Sequence, residues 1–134
     1  MLILVIDGQG GGLGRQLVAS IKESCPNASI TAVGTNTTAT MAMLKAGADN
    51  AATGENAVVV GCRKADVIVG PIGIAIADAL FGEITSKMAV AVGQSNARRV
   101  LIPVSHCENV VVGITDASVG RLVQAAVSEI QKYI

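Results

Sequence analysis

Five glycines stand within seven residues at Gly8-Gln9-Gly10-Gly11-Gly12-Leu13-Gly14, directly after the apolar run Leu2-Ile3-Leu4-Val5-Ile6 and Asp7. The order reads as a buried strand turning sharply into a helix. Glycines there remove the side chains that would hold a ligand away from the backbone. The helix that follows aims its unpaired N–H groups and the positive end of its dipole at the same spot. The chemistry this suits is phosphate binding, so Gly8, Gln9, Gly10, Gly11, Gly12, Leu13 and Gly14 are the expected cofactor-binding residues. The alternative is a tight turn with no ligand, against which stands the conformational entropy that so many adjacent glycines cost. The stretch is not a P-loop, because Gln9 occupies the place of the first Walker glycine and Arg15-Gln16 replaces Lys-Ser/Thr.

Other residues with chemical capacity are few. Glu55, in the polar group Thr53-Gly54-Glu55-Asn56, can serve as a general base or merely favour the start of a helix. His106 and Cys107 offer a base beside a nucleophile, although neighbours on an extended loop usually point apart. These three are the catalytic candidates. A single histidine and the lack of a carboxylate cluster make a dedicated metal site unexpected. Asp7 is expected to brace the glycine loop.

The elements that must position these residues alternate along the chain. After the loop, Leu13, Leu17, Val18 and Ile21 recur at helical spacing until Cys25-Pro26-Asn27. Ser29 to Gly34 reads as a second strand, and Thr35-Asn36-Thr37-Thr38 caps a helix through Met41 and Leu44 that Gly47 closes. Ala48 to Ala52 is a short third strand, and Ala57 to Arg63 a helix capped by Thr53. Asp66 to Val69 is the fourth strand, leading through Gly70-Pro71-Ile72-Gly73 into an alanine-rich segment to Leu80 whose spacing permits a buried helix. Thr85-Ser86 caps a further helix, and Val100 to Ile102 is the fifth strand. Beyond Pro103 and Val104, only Ser105-His106-Cys107-Glu108-Asn109 separates it from Val110 to Ile114, too few for a parallel crossover, so that sixth segment is expected to pair antiparallel at an edge. The last helix carries Val119, Leu122, Val123, Ala126, Val127 and Ile130 on one stripe.

This pattern predicts one α/β domain over residues 1–134, a Rossmann-like three-layer sandwich whose mostly parallel sheet has an antiparallel edge strand. Ligands of such sheets bind beyond the carboxyl ends of the strands. That face gathers the glycine loop, Thr35 and Asn36, Thr53 to Asn56, Gly70 and Pro71, and Ser105 to Asn109. Thr35 and Asn36 can bond a ribose or adenine edge or simply cap the helix. No acid stands at the end of the second strand to hold a ribose 2′-hydroxyl, as dinucleotide sites usually require, and Arg15 can favour a 2′-phosphate.

Composition narrows the function classes. Apolar residues make up 51% of the 134 and aromatics only 1%, so the core is built from small aliphatic side chains around glycine. Ten basic and ten acidic residues cancel, leaving no excess of positive charge for nucleic acid or an anionic membrane. Three cysteines, odd in number and widely spaced, fit a reducing compartment. The first apolar run has no basic n-region ahead of it and is interrupted at Asp7, and the longest, Val67 to Ala77, is too short and too broken to cross a bilayer. Neither a signal peptide nor a span is expected, and the expected location is cytoplasmic. The positive mean hydropathy suggests that a copy of the chain covers some apolar surface, as in a homodimer.

The order Gly8-x-x-x-Gly12-x-Gly14 resembles the cofactor loop of short-chain dehydrogenases more closely than the G-x-G-x-x-G spacing, which needs a glycine where Leu13 stands. Their Tyr-x-x-x-Lys acid–base pair is missing, since Tyr133 is the single tyrosine, and hydride transfer by that mechanism is excluded. Nearly the whole chain also resembles a small family of uncharacterised proteins from anaerobic Firmicutes. The likeness runs through Val5 to Gly12, Ala32 to Asn36, Met43 to Asp49, Ala52 to Asn56, Gly70 to Gly73 and Leu101 to Val104. It implies a Rossmann-like cytoplasmic protein and supplies no activity. The expected function is binding of a phosphorylated small ligand, a nucleotide or a dinucleotide such as NAD(P), at the Gly8 to Gly14 loop. The alternative is a regulatory or structural homo-oligomer in which the glycine turn is architecture or senses a metabolite.

Overall fold

The apolar run Ile3 to Ile6 is buried on both faces of a sheet whose middle strand it forms, with Asp7 buried at its end. The computed structural model describes residues 1–104, 109–114 and 117–134. In order they form β1 (Leu2–Asp7), α1 (Gly12–Ser24), β2 (Ser29–Gly34), α2 (Thr37–Lys45), β3 (Asn50–Thr53), α3 (Glu55–Lys64), β4 (Val67–Pro71), α4 (Ser86–Gln94), β5 (Arg98–Ile102) and α5 (Val119–Gln131). A turn of 3₁₀ helix, Ile72–Ala75, follows β4. The strands lie in the order β3-β2-β1-β4-β5, and every pairing is parallel.

Alternation along β1 divides the core in two. Ile3 and Val5 face Leu17, Val18 and Ile21 of α1, Met43 of α2 and Val123, Val127 and Ile130 of α5. Leu4 and Ile6 face Val58 and Cys62 of α3 and Met88 and Val92 of α4. Three layers result, with the strand order reversing between β1 and β4. That reversal opens a crevice at the carboxyl ends of those two strands. None of the described helices is long and apolar enough to cross a membrane.

Several expected elements are replaced by others. The sheet has no antiparallel edge strand among the described residues. Val110 to Ile114 runs as an irregular, exposed segment with a left-handed Gly113 (φ 87°). Its run of valines has no half-buried surface to lie on, and β preference is realised only against such a surface. The alanine-rich segment before Leu80 is not a helix either. After the 3₁₀ turn, Asp78, Leu80 and Phe81 all take positive φ (67°, 57° and 55°), and the chain closes on itself through Asp78 N–H to the Ile84 carbonyl and Ile84 N–H to the Ala79 carbonyl. A helix of two turns is marginal in isolation, and burial of Leu80 decides the matter instead. Gly54, not Thr53, caps α3, because the Thr53 hydroxyl is engaged with that of Thr40 at 2.7 Å.

The stripe of α5 is buried at Val123, Ala126, Val127 and Ile130, while Leu122 is partly buried and Val119 exposed. Ile130→Ala should therefore cost about 2–5 kcal/mol in chemical denaturation, and Leu122→Ala less. A loss at Ile130 below about 0.5 kcal/mol, the size of a surface substitution, would contradict the packing.

Candidate functional site

Asp7 ends β1 with its side chain buried and directed at the chain's own next turn. One carboxylate oxygen accepts the Gly8 N–H at 2.8 Å and the other the Gly14 N–H at 2.7 Å. The loop is thereby folded back so that α1 begins beside the strand it came from. Burial, the largest influence, raises the Asp7 pKa and the nearby Glu83 adds to the rise, against the lowering by the two backbone bonds.

The glycines of the loop fall into two groups. A Cβ on Gly8 would sit 2.6 Å from Thr35 Oγ1 and 2.7 Å from Glu83 Oε1, and one on Gly14 would lie 2.6 Å from Met43 Sδ. Gly11 combines φ 75° with a Cβ position 2.8 Å from Ala39 Cα. Packing therefore accounts for glycine at Gly8 and Gly14, where a side chain would have to displace its neighbours, and backbone conformation as well as packing accounts for it at Gly11. Gly10 and Gly12 differ, with ordinary φ and nothing within 4 Å of the Cβ position. Neither sterics nor backbone conformation accounts for glycine there. The N–H groups of Gly10, Gly12 and Leu13 likewise find no acceptor among the described residues, whereas those of Gly8, Gln9, Gly11 and Gly14 do.

These free donors border a cleft of about 200 Å³ lined by Asp7 to Leu13, Pro71, Leu80 and Val104. Pro71 belongs to it. Gly70 does not line it, and its lack of a side chain is explained by the Ile6 carbonyl, into which a Cβ would collide. Larger grooves exist, one of about 410 Å³ between α3 and α4 lined by Val59, Arg63, Lys87 and Ala91 among others. The small cleft is the better candidate because it lies at the crevice of the strand reversal with three backbone donors that find no acceptor among the described residues, and recognition of a phosphate depends on such donors rather than on volume.

Thr35 and Asn36 are brought beside the loop, but their polar groups are already engaged. Asn36 caps α2, its Oδ1 accepting the Ala39 N–H at 2.9 Å, and its Nδ2 donates to the Gln9 carbonyl at 2.9 Å and to Glu83 Oε1 at 3.0 Å. The Thr35 hydroxyl donates to the same Glu83 oxygen, and the Gln9 N–H reaches it at 2.8 Å. Glu83 is thus the residue that sequence reasoning missed. Gly82-Glu83 reads as a helix breaker, yet the left-handed turns from Asp78 to Gly82 swing the carboxylate over Gly8. Its position in the connection after β4, on the ligand side of the sheet, is the signal available in the sequence. Burial raises its pKa most, but the bonds from Thr35, Gln9 and Asn36 together outweigh that and leave it lowered.

The remaining candidates lie elsewhere. Glu55 starts α3 beside edge strand β3, two strand spacings or about 10 Å across the sheet from the glycine loop. Arg15 is exposed on the first turn of α1. His106 and Cys107 lie outside the described residues. Cys62 is buried and its thiol pushed up to about 11 by burial, which makes it inert as a nucleophile.

A family model described as Domain of unknown function (DUF3842) matches residues 2–134. No curated protein matches the sequence. Among solved structures, the chain is similar to a dodecameric FMN-dependent UbiX-like decarboxylase from Escherichia coli O157:H7. The identity is 19%, the likeness covers 97% of this chain and 76% of that one, and the TM-score is 0.46.

A lowered carboxylate pKa is stabilising above the group's ordinary value of 4.5 and loses that contribution as pH falls through the folded value. Glu83→Gln should accordingly reduce stability by about 1 kcal/mol at neutral pH, where ionised Glu83 accepts three bonds. The difference between native chain and variant should shrink towards zero at acid pH, below the lowered folded value. Denaturation at both pH values checks this, and a difference unchanged by pH would mean that the charge contributes nothing.

Proposed function

The chain belongs to the DUF3842 family, and from its geometry we propose that it binds a phosphorylated small ligand, a nucleotide or a dinucleotide such as NAD(P), on the Gly8 to Gly14 loop. The observation that carries this reading is the pair of glycines the fold does not need. Gly10 and Gly12 leave open space where side chains would stand, and the free N–H groups of Gly10, Gly12 and Leu13 border the same cleft. A phosphate set there accepts backbone hydrogen bonds at the positive end of the α1 dipole, and a side chain on either glycine would obstruct it.

A second reading has its own observation. The carboxylates of Asp7 and Glu83 hold the N–H groups of Gly8, Gln9 and Gly14, so the chain supplies part of its own anion and the loop can stand without a ligand. In that case the protein is a regulatory or structural homo-oligomer. Exposed apolar side chains at Phe81 (89%), Val110 (87%) and Val112 (92%) support self-association in either reading. Nothing in the site assigns a reaction, and no catalytic step is proposed.

Gly12→Ala separates the two. Alanine is the better helix former by up to about 1 kcal/mol in a helix interior, less at the first helical position that Gly12 holds, and meets no neighbour, so the variant should be at least as stable as the native chain without ligand. Thermal shift with ADP, NAD⁺ and NADP⁺ should raise the melting temperature of the native chain with at least one of them and leave that of Gly12→Ala almost unmoved, because a ligand bound only by the folded state stabilises it by RT ln(1 + [L]/Kd). No shift for the native chain with any of the three would favour the second reading.

A further inference from the structure

Dinucleotide sites usually hold the adenosine ribose with an acid at the end of the second strand, about 20 residues beyond the glycine loop. Here that position reads Gly34-Thr35-Asn36 and carries none. The fold brings one from elsewhere. Glu83, 48 residues after Thr35, is hydrogen-bonded to the Thr35 hydroxyl and the Asn36 amide at that same strand end, and to the Gln9 N–H of the glycine loop.

We infer that Glu83 is the ribose-reading residue of this site, accepting the 2′- and 3′-hydroxyls of a nucleotide whose phosphates lie on the glycine loop, and that it selects ribose with a free 2′-hydroxyl over 2′-phosphorylated ribose. The inference rests on the phosphate reading above. All three donors converge on Oε1, leaving Oε2 without a donor among the described residues. A carboxylate fixed through one oxygen presents the other as an oriented acceptor, and an ionised acceptor makes the stronger hydrogen bonds. The attachment is close, since only a glycine at position 8 lets Oε1 approach to where a Cβ would be 2.7 Å away. Leu80, three residues earlier, lines the phosphate cleft itself, so ribose reader and phosphate cradle share one connection. A negative charge at this point repels a 2′-phosphate. Exposed Arg15 forms no ion pair with Glu83 that would cancel that charge.

The test uses calorimetric titration of the native chain and of Glu83→Gln with ADP, 2′-deoxy-ADP and adenosine 2′,5′-bisphosphate. The native chain should bind ADP about tenfold more tightly than 2′-deoxy-ADP, corresponding to about 1.4 kcal/mol, and should bind the 2′,5′-bisphosphate more weakly than ADP. In Glu83→Gln the hydroxyl preference should fall below about threefold and the 2′,5′-bisphosphate should gain. Equal binding of ADP and 2′-deoxy-ADP by the native chain overturns the inference without use of any variant, as does a preference that survives in Glu83→Gln. In both cases the phosphate reading stands if ADP still binds and Gly12→Ala still abolishes that binding. Failure of the native chain to bind any of the three overturns both.

Discussion

The turn from β1 into α1 depends on the Asp7 carboxylate. With one oxygen on the Gly8 N–H and the other on the Gly14 N–H, it joins the end of the central strand to the first turn of the helix and sets the path of the six residues after Asp7. Leaving those two backbone donors buried and unpaired would cost on the order of 1–3 kcal/mol each, so the carboxylate decides which loop donors remain for anything else. Glu83 takes the Gln9 N–H and the Gly8 carbonyl that of Gly11, so among the described residues Gly10, Gly12 and Leu13 are left without an acceptor. Gly14 must be glycine because Met43 packs against it, and Gly11 because the chain turns left-handed there over α2. Ligand capacity and architectural demand thus occupy different glycines of the same loop.

The second determinant is the connection between β4 and α4. Three non-glycine residues in the left-handed region, Asp78, Leu80 and Phe81, are unfavourable, on the order of 1 kcal/mol or more each. Burial of Leu80 and the convergence of three donors on Glu83 offset that cost and close the segment over Gly8. The crevice between β1 and β4 is consequently built from both of its flanking connections, one supplying backbone donors and the other an anchored carboxylate.

Much of this was legible in the sequence because its causes are local. The apolar run of β1, the spacing of Leu17, Val18 and Ile21, and the caps at Asn36 and Thr85 each state their structure within a few residues, and the alternation of strands and helices then fixes the layers. The failures have non-local causes. Val110 to Ile114 has the composition of a strand but no surface on which to be one. The alanine-rich segment before Leu80 has helical spacing but is shaped by what Leu80 and Glu83 reach. Thr35 and Asn36 stand beside the loop at the end of β2, yet that their partner is a glutamate from beyond β4 is a fact of topology that no local window contains.

The central claim is that Gly10, Gly12 and Leu13 form the phosphate contact, and backbone amide resonances report on it directly. Titrating ADP into ¹⁵N-labelled protein should shift the amides of Gly10, Gly12 and Leu13 most, with smaller changes at Gly8 and Gly14, whose N–H groups Asp7 already holds. Amides of the loop that stay unmoved at saturating ADP, or shifts concentrated at another part of the chain, would contradict the account.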